Sequence, residues 1–140
     1  AMEVTYERIA SLDKLHRVHV EYHGNGQVDD ALILHALAAR TSDGNSEGAD
    51  SQDFGASSAN GGVGYLQVTA YSGFSSVVIK IKDSSDDITY NDLITFTTVT
   101  AAPTAERTTV SGTVDRHLSV DWNVTGSGSI TFVVGFTRNA

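Results

Sequence analysis

Two groups of residues in this chain have the side-chain types of metal ligands, and their spacing decides whether they could hold an ion. His19, Glu21 and His23 offer imidazole and carboxylate groups, which bind zinc. Their segment alternates as a strand does, however, and positions i and i+4 of a strand lie about 13 Å apart, too far to share one ion. The oxygen-rich run 83–87 lacks the glycine and the terminal Glu of an EF-hand calcium loop. We therefore expect no metal: the first group is a solvated strand face and the second an ordinary turn.

Catalytic signatures are equally sparse. There is no Gly-x-Ser-x-Gly elbow and no cysteine. The sequence has 17 acidic residues, so some carboxylate pair always exists and a glycosidase pair carries no information. We expect no catalytic residue and no cofactor, and hence a protein that is not an enzyme.

Aromatic side chains supply the remaining candidates for a binding surface. Tyr65 and Tyr71 fall on the outward face of one predicted strand, together with Gln67 and Thr69, and are the preferred binding or assembly residues. Trp122, the only tryptophan, falls on an inward face. We interpret it as a core residue rather than as a platform for stacking sugars.

These side chains must be positioned by strands, because period-two alternation dominates from residue 63 onward. A loop at Thr125–Gly128 is typical of a hairpin between the last two strands. The pattern predicts an antiparallel β-sandwich, either jelly-roll or immunoglobulin-like. The six predicted strands are Tyr65–Tyr71, Ser76–Lys82, Tyr90–Val99, Arg107–Val114, Leu118–Val124 and Ile130–Phe136.

The N-terminal region has a different character. Leu15–His23 reads as a strand and is followed by a turn signal at 24–26. Residues 31–40, preceded by two aspartates and ended by Arg40, favour a helix, with a buried strand as the competing interpretation. The predicted organisation is a strand plus helix at 1–40, a polar loop or linker at 41–62 and the β-sandwich at 63–140.

Composition limits the possible partners. The formal net charge is −8 and the nine basic residues are scattered, which opposes phosphate neutralisation. We therefore expect no sequence-specific binding to nucleic acid. No apolar run approaches the length of about 20 residues that a membrane span requires.

Several segments carry a likeness to a known group of proteins. They are Tyr65–Ala70, Val78–Asp87, Leu93–Thr97, Val110–Leu118 and Ile130–Phe136. Together they resemble the β-sandwich domain appended to tail tube (major tail) proteins and related virion proteins of tailed bacteriophages. The stretch from Tyr6 to Leu32 is similar to a shortened part of a tail tube core.

The resemblance implies a structural, self-assembling role without an active site. The expected partners are further copies of the chain, as a homo-oligomer, and other virion proteins. The expected location is the virion, specifically the phage tail, after assembly in the host cytoplasm. Whether the chain forms the tube or is tail-associated stays open, and the alternative is a carbohydrate-binding, adhesion or capsid-decoration module.

Overall fold

The computed structural model describes the backbone of residues 3–10 and 16–23, and both backbone and side chains of residues 31–140. In the first part, β1 (Glu3–Ala10) and β2 (His16–His23) pair as an antiparallel two-stranded sheet. The strand predicted at Leu15–His23 is confirmed over the range of β2. The turn predicted at 24–26 lies outside the described residues.

Residues 31–140 form a second compact unit, which is mainly β. Its seven strands are β3 (Leu32–Arg40), β4 (Gly44–Asn45), β5 (Gln52–Asp53), β6 (Gly62–Ser84), β7 (Asn91–Thr95), β8 (Thr104–Val110) and β9 (His117–Arg138). They make one antiparallel sheet in the order β3-β9-β6-β7, with β4 and β5 paired to β9 and β8 paired to β6. The prediction of an antiparallel β protein is therefore confirmed.

The long strands β6 and β9 form the centre of this sheet. They pair over their whole length, from Gly62 opposite Arg138 to Ser84 opposite His117. The hairpin predicted at Thr125–Gly128 is wrong, because these residues belong to the uninterrupted strand β9. A Cβ atom at Gly128 would lie 2.0 Å from the carbonyl oxygen of Ser72, so this glycine permits close contact between the strands rather than a turn.

Both long strands bend back on themselves. The rings of Trp122 and Phe132 have centroids 5.8 Å apart, although ten residues of straight strand would separate them by about 33 Å. Register shifts between Val68 and Ser76 mark the bend in β6. The bend divides the sheet into two halves. The β3 half contains β3, β8, residues 62–68 of β6 and residues 130–138 of β9. The β7 half contains β4, β5, β7, residues 77–84 of β6 and residues 117–124 of β9.

Buried side chains of both halves belong to one hydrophobic core. A Cβ atom at Gly64 in the β3 half would lie 2.9 Å from the Cδ1 atoms of both Ile81 and Ile94 in the β7 half. The predicted inward alternation of these strands is confirmed, except that Ala70 is exposed and Val124 is only half-buried. The hydrophobic residues of β6 and β9 that are at most 5% exposed are Val63, Leu66, Val68, Phe74, Val77, Ile79, Ile81, Leu118, Val120, Trp122, Ile130, Phe132, Val134 and Phe136.

The helix predicted at residues 31–40 is wrong. The competing interpretation is right that the segment is a strand, but the strand is mostly exposed rather than buried. Leu32–Arg40 is β3, which pairs antiparallel with β9, as in Leu32 opposite Phe136 and Arg40 opposite Ile130. Hydrogen bonds to an existing strand outweigh the weak helix propensity of an Ala- and Leu-rich segment. Two register shifts interrupt the pairing on either side of His35.

The polar segment 41–62 contains β4, a 3-10 turn at Gly48–Asp50 and β5. It is tied to β9 by side-chain hydrogen bonds. The Nε1 atom of Trp122 donates to the Ser42 carbonyl oxygen at 3.0 Å, and Val120 N–H donates to Ser46 Oγ at 2.9 Å. Arg116 donates two hydrogen bonds to the carboxylate of Asp53, at 2.6 and 2.7 Å, and this pairing lowers the pKa of Asp53.

Candidate functional site

The outer face of the β3 half carries a shallow apolar groove of about 490 Å³. We call it the outer groove. Alternate residues of four adjacent strands line it, since these residues point away from the core. Its principal lining residues are Ile33 of β3, Val133 and Gly135 of β9, Tyr65 and Gln67 of β6, and Arg107 of β8.

The two tyrosines proposed from the sequence do not share a surface. Tyr65 pairs with Gly135, lies half-buried in the outer groove and has the Arg107 guanidinium 5.8 Å from its ring centroid. Tyr71 pairs with Ile130, a fully buried residue, and its hydroxyl donates to the Phe74 carbonyl oxygen at 2.8 Å. The register shift after Val68 turns the chain over, and so places Tyr71 on the inward side.

The edge strand β3 carries most of the exposed large hydrophobic side chains of residues 31–140. Four large hydrophobic side chains are exposed in this range, and three of them, Leu32, Ile33 and Leu37, belong to β3. Within the same range β3 pairs with β9 alone, so one of its edges carries unpaired backbone groups. An apolar edge with free hydrogen-bonding groups is a surface for adding another strand.

A second depression of about 550 Å³ lies between β3 and β4. We call it the polar pocket. Its principal lining residues are His35, Arg40, Asp43, Asn45, Asp50 and Trp122. The sequence interpretation missed this group, because a helix at 31–40 would not bring His35 and Arg40 beside the polar segment that follows them.

The pKa of His35, in the polar pocket, is shifted well away from its ordinary value. It is only 4% exposed, stacks on Phe132 with a centroid separation of 4.2 Å, and accepts a hydrogen bond from Arg40 Nε to its Nε2 at 3.0 Å. Burial, followed by the positive charge of Arg40, lowers the pKa of His35 to about 4, although the backbone carbonyl groups of Phe132 and His35 act in the opposite direction. His35 is therefore neutral at pH 7, with an Nδ1 that has no hydrogen-bond partner within the described residues.

Trp122 is a core residue, as predicted, since it is 5% exposed. The guanidinium of Arg40 lies over its ring, 4.8 Å from the centroid. The backbone of Gly44 lies against the ring as well, because a Cβ atom there would come within 2.5 Å of Cζ2. With these contacts in place, the ring presents no open face on which a sugar could stack.

The acidic run 83–87 forms the predicted turn only from Ser85 onward, because Asp83 and Ser84 are buried and belong to the end of β6. Asp86 Oδ1 accepts hydrogen bonds from the backbone N–H groups of Ile88 and Thr89. Asp87 accepts from the hydroxyls of Tyr90 and Ser51, which lowers its pKa. Across the described residues, no three His, Cys, Asp or Glu side chains are grouped so that they could hold a metal ion.

Two further findings complete the description. In the described part of the chain, no helix is both long and apolar enough to cross a membrane. Comparisons with protein-family models, with curated proteins and with solved structures find no match to this chain.

Proposed function

We propose that this chain is a non-enzymatic structural subunit that associates with further copies of itself through the free edge of β3 and the adjoining outer groove. The observation that carries the proposal is the concentration of exposed apolar side chains, Leu32, Ile33 and Leu37, on a strand that is paired on one side only within residues 31–140. Ile33 also lines the outer groove, so edge and groove are continuous.

Edge association has a clear physical basis. A second strand laid along β3 supplies partners for its free N–H and C=O groups and removes its apolar side chains from water. Natural edge strands are commonly protected by charged residues. Of the nine residues of β3 only Arg40 carries a charge, and its Nε is committed to His35.

The setting that we propose is the virion of a tailed bacteriophage, where the chain would serve as a tail tube or tail-associated subunit. This part of the proposal rests on the sequence resemblance. Other virion proteins are then further partners, and capsid decoration is the alternative within the same class.

We also propose that the bent sheet acts as a two-layer β-sandwich, with the β3 half and the β7 half as its layers. The close approach of Gly64 to Ile81 and Ile94 supports this, because these residues belong to opposite halves. Two aligned layers are the usual way for antiparallel sheets to enclose a core.

Light scattering over a concentration series, with negative-stain electron microscopy of the same samples, tests the self-association. We expect the mass to rise with concentration and particles of uniform width to appear. The double variant Ile33→Lys, Leu37→Lys should remain monomeric, because it places two charges on the edge.

Ile88→Lys is the matched control for this experiment. Ile88 is the fourth exposed large hydrophobic residue of 31–140 and lies in the turn that precedes β7, outside the proposed interface. Its variant should associate like the unmodified chain. A chain that stays monomeric at all concentrations, or equal behaviour of the two variants, would refute the proposal.

A further inference from the structure

The polar pocket combines a buried wall with hydrogen-bonding groups that the protein itself does not use. His35, at 4% exposure, and Trp122, at 5%, form the buried part of its wall, and the Nδ1 of His35 is itself buried and does not face a ligand. Arg40 uses Nε for His35 and stacks on Trp122, and its two terminal nitrogens have no hydrogen-bond partner among residues 31–140. In small-molecule sites, a few placed polar groups fix the orientation of the ligand and supply its specificity.

The acceptors of the pocket are also partly free. Asp43 uses Oδ1 to accept from the Val124 N–H at 2.7 Å, and its second oxygen has no partner within the described part of the chain. Asp50 makes no hydrogen bond to the residues of that range. Asn45 accepts from Glu47 N–H through Oδ1, which leaves its Nδ2 as a donor.

This set of groups selects against simple ions. Two carboxylates repel a phosphate or a carboxylate ligand, and the Arg40 guanidinium repels a metal cation. The polar lining disfavours an apolar ligand, which would leave these groups without water and without partners. A neutral molecule with many hydroxyl groups meets neither penalty, because each hydroxyl can both donate and accept.

We propose that the polar pocket binds a neutral polyol the size of one or two hexose units. In this arrangement Arg40 and Asn45 donate to ligand oxygens, while Asp43 and Asp50 accept from ligand hydroxyls. The volume of about 550 Å³ lies within the range of roughly 300 to 1,000 Å³ found for small-molecule sites. The inference is independent of the self-association proposed above, since neither Ile33 nor Leu37 lines this pocket.

Trp122 provides a direct test, because it is the only tryptophan and it lines the pocket. Its fluorescence would be titrated with glucose, galactose, mannose, N-acetylglucosamine, maltose and cellobiose. We expect a saturable change with at least one of these sugars. Glycine and inorganic phosphate serve as zwitterionic and anionic probes, and we expect no saturable change with either.

The variant Asp50→Ala should weaken binding of the responding sugar by about tenfold or more, as the loss of a hydrogen bond to a charged group does. Asp92→Ala removes an acidic residue that lies outside the pocket and should leave the affinity unchanged. Thermal melts show whether both variants are folded. If Asp50→Ala does not fold, Asn45→Ser, which removes the amide donor, is used in its place.

Three results would overturn the inference. They are the absence of any saturable change with the sugars, saturation with glycine or phosphate only, and an unaltered sugar affinity in the folded pocket variant. Light scattering of the same samples tests the self-association separately, because it reports assembly and not ligand occupancy.

Discussion

The two halves of the bent sheet share the same long strands and the same core, yet their outer faces differ. On the β7 half, ion pairs occupy the outer surface: Lys80 Nζ lies 2.6 Å from Asp92 Oδ2, and Lys82 Nζ lies 3.1 Å from Glu47 Oε1. On the β3 half, the corresponding surface is the apolar outer groove, bordered by the exposed Ile33.

This difference indicates what the ion pairs do. Pairs on a protein surface contribute about 0 to 1 kcal/mol to stability, so they matter little for folding. Charges next to a sheet edge do, however, discourage other strands from pairing with it. We infer that the β7 half is protected against association and that the β3 half is left open for it.

The largest expected effect comes from breaking the core that both halves share. Phe132→Ala removes a fully buried ring that contacts His35 and Trp122, and should lower the free energy of unfolding by about 3 to 5 kcal/mol. Val133→Ala alters the next residue, which faces the outer groove, and should cost less than about 1 kcal/mol. Urea denaturation measures both, and equal losses would contradict the assignment of inner and outer faces.

The next effect is a pH dependence specific to the β3 half. The folded-state pKa of His35 is about 4, below its ordinary value of 6.5, so the unfolded chain binds the proton more readily between these values. The contribution of neutral His35 is complete above pH 6.5 and is lost as the pH falls towards 4, by on the order of 3 kcal/mol.

Urea denaturation between pH 7 and pH 4 tests this pH dependence by comparing the unmodified chain with His35→Gln. The other histidines are present in both proteins and cancel in the comparison. We expect the stability advantage of the unmodified chain to shrink as the pH is lowered. A difference that stays constant with pH would show that His35 titrates normally.

A smaller effect concerns the fit between the two halves. Gly64→Ala places a methyl group 2.9 Å from Ile81 Cδ1 and Ile94 Cδ1, and this overpacking should cost about 1 to 3 kcal/mol. Gly135→Ala is the control, because its Cβ atom would meet nothing nearer than 3.4 Å, at the Ala31 methyl. If thermal melting shifts equally for the two variants, the halves are not in contact at Gly64.

Removal of the charges of the β7 half should change the stability least. It also tests most sharply whether these charges prevent association. The double variant Lys80→Val, Asp92→Val should alter the free energy of unfolding by less than about 1 kcal/mol and yet lower the concentration at which the protein associates. The exchanged pair Lys80→Asp, Asp92→Lys keeps both charges and should associate no more than the unmodified chain. Light scattering distinguishes them, and similar curves would mean that these charges do not protect the edge.

The residues of the buried face could be predicted, because the alternation of apolar and polar residues is a local property of the sequence. Val77, Ile79 and Ile81 repeat with period two, and all three are buried as the pattern indicates. The hairpin at Thr125–Gly128 was not predictable, because a glycine needed for close approach to Ser72 looks the same in the sequence as a glycine needed for a turn.

The candidate surfaces were predictable only in part. Tyr65 does line the outer groove, but Tyr71 lies on the other side of the sheet, because a register shift in the β6–β9 pairing reverses the faces. Whether β3 is a strand at all depends on its pairing with β9, which lies about 100 residues away in the chain. The polar pocket depends on that pairing too, so local patterns do not indicate it.

Hydrogen exchange of backbone amides, measured at low and high protein concentration, tests association through β3. We expect amides of β3 (Leu32–Arg40) to become more protected as the concentration rises, and those of β7 (Asn91–Thr95) to exchange at the same rate throughout. Unchanged exchange in β3 together with an increase in mass, or protection that appears at β7 instead, would contradict it.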